Sequence, residues 1–268
     1  MARIENDRLK LRGMLGDMIF SAGEKEDETY VRRKPGKNKE RFRNHPDSQG
    51  SRNMTKEMSG ASTAAKALRL ALELKGRQLG DRFFSGRLNG KLRLAIGLGA
   101  GDPGKRILDI RKNGAPMEGF EFIRMRPLVY SIGGIEEKPT LSLGRNEVYW
   151  SSPILNRKEQ ITSPDGATHF KFILGAVGLC NYQYNPQRDE YLPTLNPPTL
   201  TGKFEYSEVI SLSQKSIAPV SLGVKLADTA LLEEMGVVTA VGVEFYRNVN
   251  GEMLKMENSL AMRVLGVF

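Results

Sequence analysis

Two histidines, one cysteine and one glycine-rich loop are the parts of this 268-residue chain that could do chemistry. His45 stands in a polar stretch and His169 heads an apolar alternation, and neither belongs to a metal-ligand pattern. Cys180 closes the apolar run FILGAVGLC, so it reads as a small buried hydrophobe without a disulfide partner. Gly99 to Lys105 spell GxxxxGK, the opening of a phosphate-binding loop. The next residue in such a loop is Ser or Thr, whose hydroxyl holds magnesium; here it is Arg106. The plainer reading is that the glycines end one helix, Asp102 caps another and Pro103 fills its first turn. No GxSxG elbow and no HExxH occurs. The supply of catalytic groups is thin, and the expectation is a non-enzyme with no cofactor and no metal.

What the sequence has in concentration is positive charge. Tyr30 to Arg43 holds Arg32, Arg33, Lys34, Lys37, Lys39, Arg41 and Arg43 against one acid, Glu40. A partner at this stretch is an anion or an acidic surface. Three readings of it stand side by side: a solvated linker, a contact between subunits, and a clamp on nucleic-acid phosphates with Tyr30 and Phe42 stacking on bases. No helix-turn-helix, zinc finger or RNP motif supports sequence-specific reading. Residues 1–112 carry 26 Lys and Arg against 14 Asp and Glu, and residues 113–268 carry 14 against 17. The front is basic and the back slightly acidic, which also suits head-to-tail association of copies.

The elements that must position these residues follow from periodicity. Residues 9–32 predict a β-hairpin, with apolar Leu9, Leu11, Met14, Leu15, Met18, Ile19 and Phe20 and a polar connection through SAGEKEDE. A lone hairpin is marginal in water, so Leu15, Ile19 and Phe20 are its expected packing contacts. Residues 32–53, with Pro35-Gly36, Pro46 and Gly50, predict an extended arm. Residues 54–84 predict an amphipathic helix with Ala61, Ala65, Leu68, Leu72, Leu79 and Phe83 on one face and Leu74 widening it. Ser85 is the expected cap of a second helix carrying Leu88, Leu92 and Ile96.

After Asn113-Gly114 the pattern shortens to alternating segments, among them GFEF, HFKFILG, SLGVKLA and a long run from Val237 to Tyr246. Asn250-Gly251 is the strongest hairpin signal. The predicted fold class is α+β: hairpin and basic arm over 1–53, a helical unit over 54–113, and an all-β immunoglobulin-like sandwich over 114–268. No run of apolar residues approaches the roughly 20 needed to span a bilayer. The start MARIENDRLK lacks an apolar signal core, so the expected location is cytoplasmic.

As a set, GMLGDMIF followed by YVRRKPGK, then ASTAAKALRLAL, GFEF and VGVEFYRNVNGEM resemble a family of bacterial proteins of unknown function. The resemblance implies a helical front and an immunoglobulin-like back and supplies no activity. The GEKEDE insert is longer than the family's usual short turn. The function expected from the sequence is a non-enzymatic interaction or assembly protein. Its partners are other protein subunits or further copies of itself, through the hairpin, the basic arm and the sandwich. The alternative is sequence-nonspecific nucleic-acid binding by residues 32–43.

Overall fold

A computed structural model describes residues 2–4, 11–22, 29–34, 39–72, 80–200 and 202–268. Lys37, Leu9, Leu74, Leu79 and the GEKEDE segment 23–28 lie outside the described residues. The chain divides into two compact units, Met1–Arg52 and Asn53–Phe268.

The first unit is a four-stranded antiparallel sheet followed by a short helix. Its strands are β1 (Ala2–Ile4), β2 (Gly13–Leu15), β3 (Met18–Ala22) and β4 (Thr29–Arg33), in the order β1-β4-β3-β2. The predicted single hairpin is thus the centre of a larger sheet. Leu15 pairs with Met18, which leaves Gly16-Asp17 as a two-residue turn. Gly16 has φ +57°, the conformation that such a turn requires at its first position and that glycine supplies without strain. From Lys39 onward the arm is not extended in the way the sequence predicts. Lys39–Asn44 is helix α1, with Glu40 in its first turn and Arg41 and Arg43 in its last, the charge order that suits the helix dipole. A 3₁₀ turn, Pro46–Ser48, leads into helix α2 (Gln49–Ala71). Arg52 donates to the carbonyls of Phe42 at 2.8 Å and His45 at 3.0 Å. It thereby satisfies orphan acceptors at the end of α1, and this makes a compact turn where polar composition alone reads as a linker.

In the second unit, α2 continues and is followed by α3 (Phe84–Gly97), α4 (Ile110–Asn113), α5 (Leu128–Ser131) and α6 (Arg157–Gln160). Its strands are β5 (Thr140–Leu141), β6 (Glu147–Ser151), β7 (Leu155–Asn156), β8 (His169–Cys180), β9 (Tyr182–Asn185), β10 (Glu190–Pro193), β11 (Lys203–Tyr206), β12 (Ile210–Ser211), β13 (Ser216–Ile217), β14 (Ser221–Lys225), β15 (Met235–Val249), β16 (Glu252–Lys255) and β17 (Ala261–Val267). The fold is mixed α+β. Its spine is the antiparallel pair β8 and β15, in register from Cys180 opposite Met235 to His169 opposite Tyr246. β11 and β12 extend the sheet beyond β8, and β16 and β17 extend it beyond β15. The Asn250-Gly251 turn joins β15 to β16 with both residues at positive φ, as its sequence predicts.

Strand alternation sends two sets of side chains to opposite faces. Phe170, Phe172, Leu174, Val241, Val243 and Phe245 meet Val148, Trp150, Leu222 and Val224 of the smaller sheet β14-β6-β5. Ile173, Val177, Val238 and Ala240 instead share a core with Ala61, Leu68, Leu88 and Leu92 of α2 and α3. The boundary expected at residue 113 is therefore not a division between packed bodies. The helices have an apolar stripe to bury, and the sheet's second face needs cover, so each completes the other. At Gly60 a Cβ would lie 2.5 Å from the Tyr191 ring, so α2 can lie on that ring only with glycine here.

Two further expectations change. GFEF is not a strand: Phe120 and Phe122 are buried, and the segment touches β17 through Phe122 N–H to Met262 O and Val264 N–H to Phe120 O. Pro127 and the helical turn α5 follow within a few residues, which stops the ladder. Asp102 and Pro103 do not start a helix. The chain from 98 to 107 is turn and loop, because it must return to pair Leu108 with Tyr182. Asp109 supplies the cap instead, accepting from the Lys112 N–H at the start of α4.

Candidate functional site

The residues of the first unit that the sequence singles out fall on three elements. Cross-strand pairs Leu15–Met18–Arg33 and Met14–Ile19–Arg32 run across β2, β3 and β4. Because neighbours along a strand face opposite ways, Leu15, Phe20 and Arg33 share one face and Ile19 and Arg32 the other. The three expected packing residues are thus split between faces. Leu15 is 71% exposed, Met14 63% and Met18 52%, while Ile19 and Phe20 are half-buried. The Gly16-Asp17 end of the β2–β3 hairpin therefore presents apolar side chains outward, and β2 is an edge strand.

The six described basic residues of this stretch fall on two elements and the residue that follows the first of them. Arg32 and Arg33 are exposed in β4, and the backbone N–H of Lys34, itself exposed, donates to Asp17 O at 2.6 Å. Lys39 opens α1, and Arg41 and Arg43, both exposed, are two residues apart on that helix, about 200° around its axis. Tyr30 and Phe42 are half-buried. The sequence shows the charge but not this partition, because a six-residue helix is too short for its periodicity to stand out.

In the second unit the phosphate-loop likeness has a structural answer. Glu57 of α2 is 2% exposed, and its carboxylate accepts the Gly104 N–H at 2.9 Å. Arg106 Nη1 lies 3.5 Å and Arg93 Nη2 3.9 Å from the same group. An internal carboxylate occupies the place where such a loop would hold an external phosphate. Glu57 could have been read from the sequence: it stands four residues before Ala61 on the buried face of α2.

His45 accepts from the Asp47 N–H at 3.3 Å, a local turn contact. His169 is held at 2.8 Å from the Thr168 hydroxyl. Cys180 is fully buried, its thiol against Asn181 O. Among the described residues no group of three or more His, Cys, Asp or Glu could hold a metal ion, and no helix is long and apolar enough to cross a membrane. The chain matches no family model, no curated protein and no solved structure.

Proposed function

We propose that this chain is a non-enzymatic assembly protein whose N-terminal sheet joins it to further copies of itself. The observation that carries the reading is the exposure of Met14, Leu15 and Met18 at the end of an edge hairpin. Edge strands of soluble proteins are commonly guarded by charge, proline or cover, and β2, Gly-Met-Leu, has none of these within it. Leu15 and Met18 share one face, and burying one such side chain contributes about 1.5–3 kcal/mol, so two from each of two copies offset part of the cost of association. Arg32 and Arg33 stand next to Ile19 and Met18 and set a cationic border to the contact. The slightly acidic composition of residues 113–268 offers a surface of opposite sign.

Within this reading residues 114–268 serve as an immunoglobulin-like module. The support is the face-to-face packing of two antiparallel sheets around Trp150 and Phe172, whose ring centroids are 5.2–5.4 Å from their neighbours. A cytoplasmic location and kinship with the bacterial family that the sequence resembles belong to the same proposal. The alternative, a sequence-independent nucleic-acid clamp, draws on the exposed Arg32, Arg33 and Lys34.

Light scattering on the full chain tests the proposal. The expected mass is that of two or more protomers, falling to one in Leu15→Asp with circular dichroism unchanged. A single protomer at about 100 μM, the same in both proteins, sinks it. Duplex titration against salt separates the alternative, which requires a slope of about −0.9 per neutralised phosphate that weakens when Arg32 and Arg33 become Ala.

A further inference from the structure

A groove of ≈550 Å³ opens in the second unit between α3 and the segment 119–124. Its lining is unusual in charge. Among the described residues, Arg87, Lys91 and Arg124 line it beside a single carboxylate, Glu121, and the other lining residues are Gly90, Leu94, Gly119 and Phe120. Leu94 is 50% exposed on the groove, although it is a large apolar side chain on a helix whose other leucines, Leu88 and Leu92, are buried. A Cβ on Gly90 would meet nothing within 4 Å, so that position opens directly to the groove.

Two of the charges belong to the frame. Arg87 donates to Asp81 at 2.8 Å, to Glu121 O at 2.6 Å and to Phe122 O at 3.0 Å, and its guanidinium lies 4.9 Å from the Phe120 ring centroid. Glu121 accepts the Leu128 N–H at 3.1 Å and has Arg263 Nε 3.7 Å away, so its charge is already answered from behind. Burial pushes the Glu121 carboxyl above its ordinary range, against the pull of that N–H, Arg263 and Arg87. Lys91 makes no ion pair among the described residues, and its ammonium stands one helical turn beyond Arg87.

We infer that this groove binds a small organic anion: one negative group held by Lys91, joined to an apolar body lying over Gly90 and Leu94. The reasons are complementary. A cationic side chain at the rim lowers the cost of desolvating an anion, and the bare floor at Gly90 admits the close approach of a flat body. The volume falls in the usual range for small-molecule sites, about 300–1,000 Å³. All the lining residues belong to the second unit, and the inference does not depend on the assembly reading.

The probe is 8-anilinonaphthalene-1-sulfonate, an anion with a flat apolar body whose fluorescence rises out of water. The full chain is titrated at constant low salt beside three variants. Lys91→Glu reverses the rim charge at contact range and is expected to weaken binding about tenfold. Gly90→Leu fills the floor while favouring the helix, and a similar loss is expected with the fold retained. Leu15→Asp controls for dye on the exposed hairpin and is expected to leave the dissociation constant unchanged. Sodium sulfate, which carries charge without an apolar body, is expected to compete only through ionic strength, matching sodium chloride at equal ionic strength. Dye binding that survives both groove variants, or that is lost in Leu15→Asp alone, overturns the assignment.

Discussion

At the scale of single residues, partly buried acids act as fasteners. Asp81 is the clearest case. Its carboxylate accepts the Phe83 N–H and the Arg124 N–H, each at 2.9 Å, and the Arg87 guanidinium at 2.8 Å, so it ties α3 to the segment around residue 124. Burial raises its pKa, but the Arg124 N–H, the Arg87 guanidinium and the Phe83 N–H outweigh that, and the carboxyl stays below its ordinary 3.8. A carboxylate held below its unfolded value gives stability that is complete above that value and is lost as pH falls through the folded one. Asp81→Asn is therefore expected to cost about 1–3 kcal/mol at neutral pH. The gap to the parent protein should close as pH drops below 3.8. Urea midpoints measured at neutral pH and at stepwise lower pH decide it, and a gap independent of pH would remove the charge from the explanation. Glu121 titrates on the other side of its own ordinary 4.5, so the two contributions occupy different windows.

At the scale of elements, close approach decides more than propensity. Gly60 lies inside α2, where alanine would ordinarily gain about 1 kcal/mol. Its Cβ would fall 2.5–2.8 Å from three carbons of the Tyr191 ring, and Tyr191 is itself buried with its hydroxyl donating to Arg106 O at 3.0 Å. Overpacking of this kind costs typically 1–3 kcal/mol, so Gly60→Ala is expected to lower stability by about 1–2 kcal/mol net in denaturant unfolding. A gain would mean that α2 and Tyr191 slide apart freely. The same contrast marks what was legible in the sequence. β8 was readable because HFKFILG alternates and both sheet faces want apolar residues, and the Asn250-Gly251 turn because only a few residue types accept its backbone. The Gly16-Asp17 turn was missed because three-residue strands leave too short an alternation to see. The groove was invisible for a different reason. Arg87 and Lys91 are a visible i, i+4 pair, but Arg124 joins them only when β17 draws the segment 119–122 alongside, a contact between residues more than a hundred positions apart. Which face of the sheet the helices would cover was likewise undetermined, since both faces carry equally apolar residues.

At the scale of the whole molecule, the two units differ in how their stability is built. Asn53–Phe268 has two clusters of buried residues, one on each face of the β8–β15 pair, and so carries what a domain needs to fold alone. Met1–Arg52 has short strands, and Met14, Leu15 and Met18 of its hairpin stand in water. A small unit that leaves large apolar side chains exposed gains stability by covering them, and a second copy provides that cover in the reading argued above. A chain beginning at Gln49, which keeps all of α2, separates the two contributions. It is expected to unfold cooperatively, with near-parental circular dichroism over the retained elements, and to remain a single protomer at concentrations where the full chain associates. Sedimentation velocity on both chains checks it. Were the shortened chain to keep the parental mass, association would belong to the larger unit, and the hairpin would lose its assigned role even though the oligomer stood. Were both chains monomeric, self-association would fail as a whole, while anion binding in the groove of the second unit would remain open to its own titration in either chain.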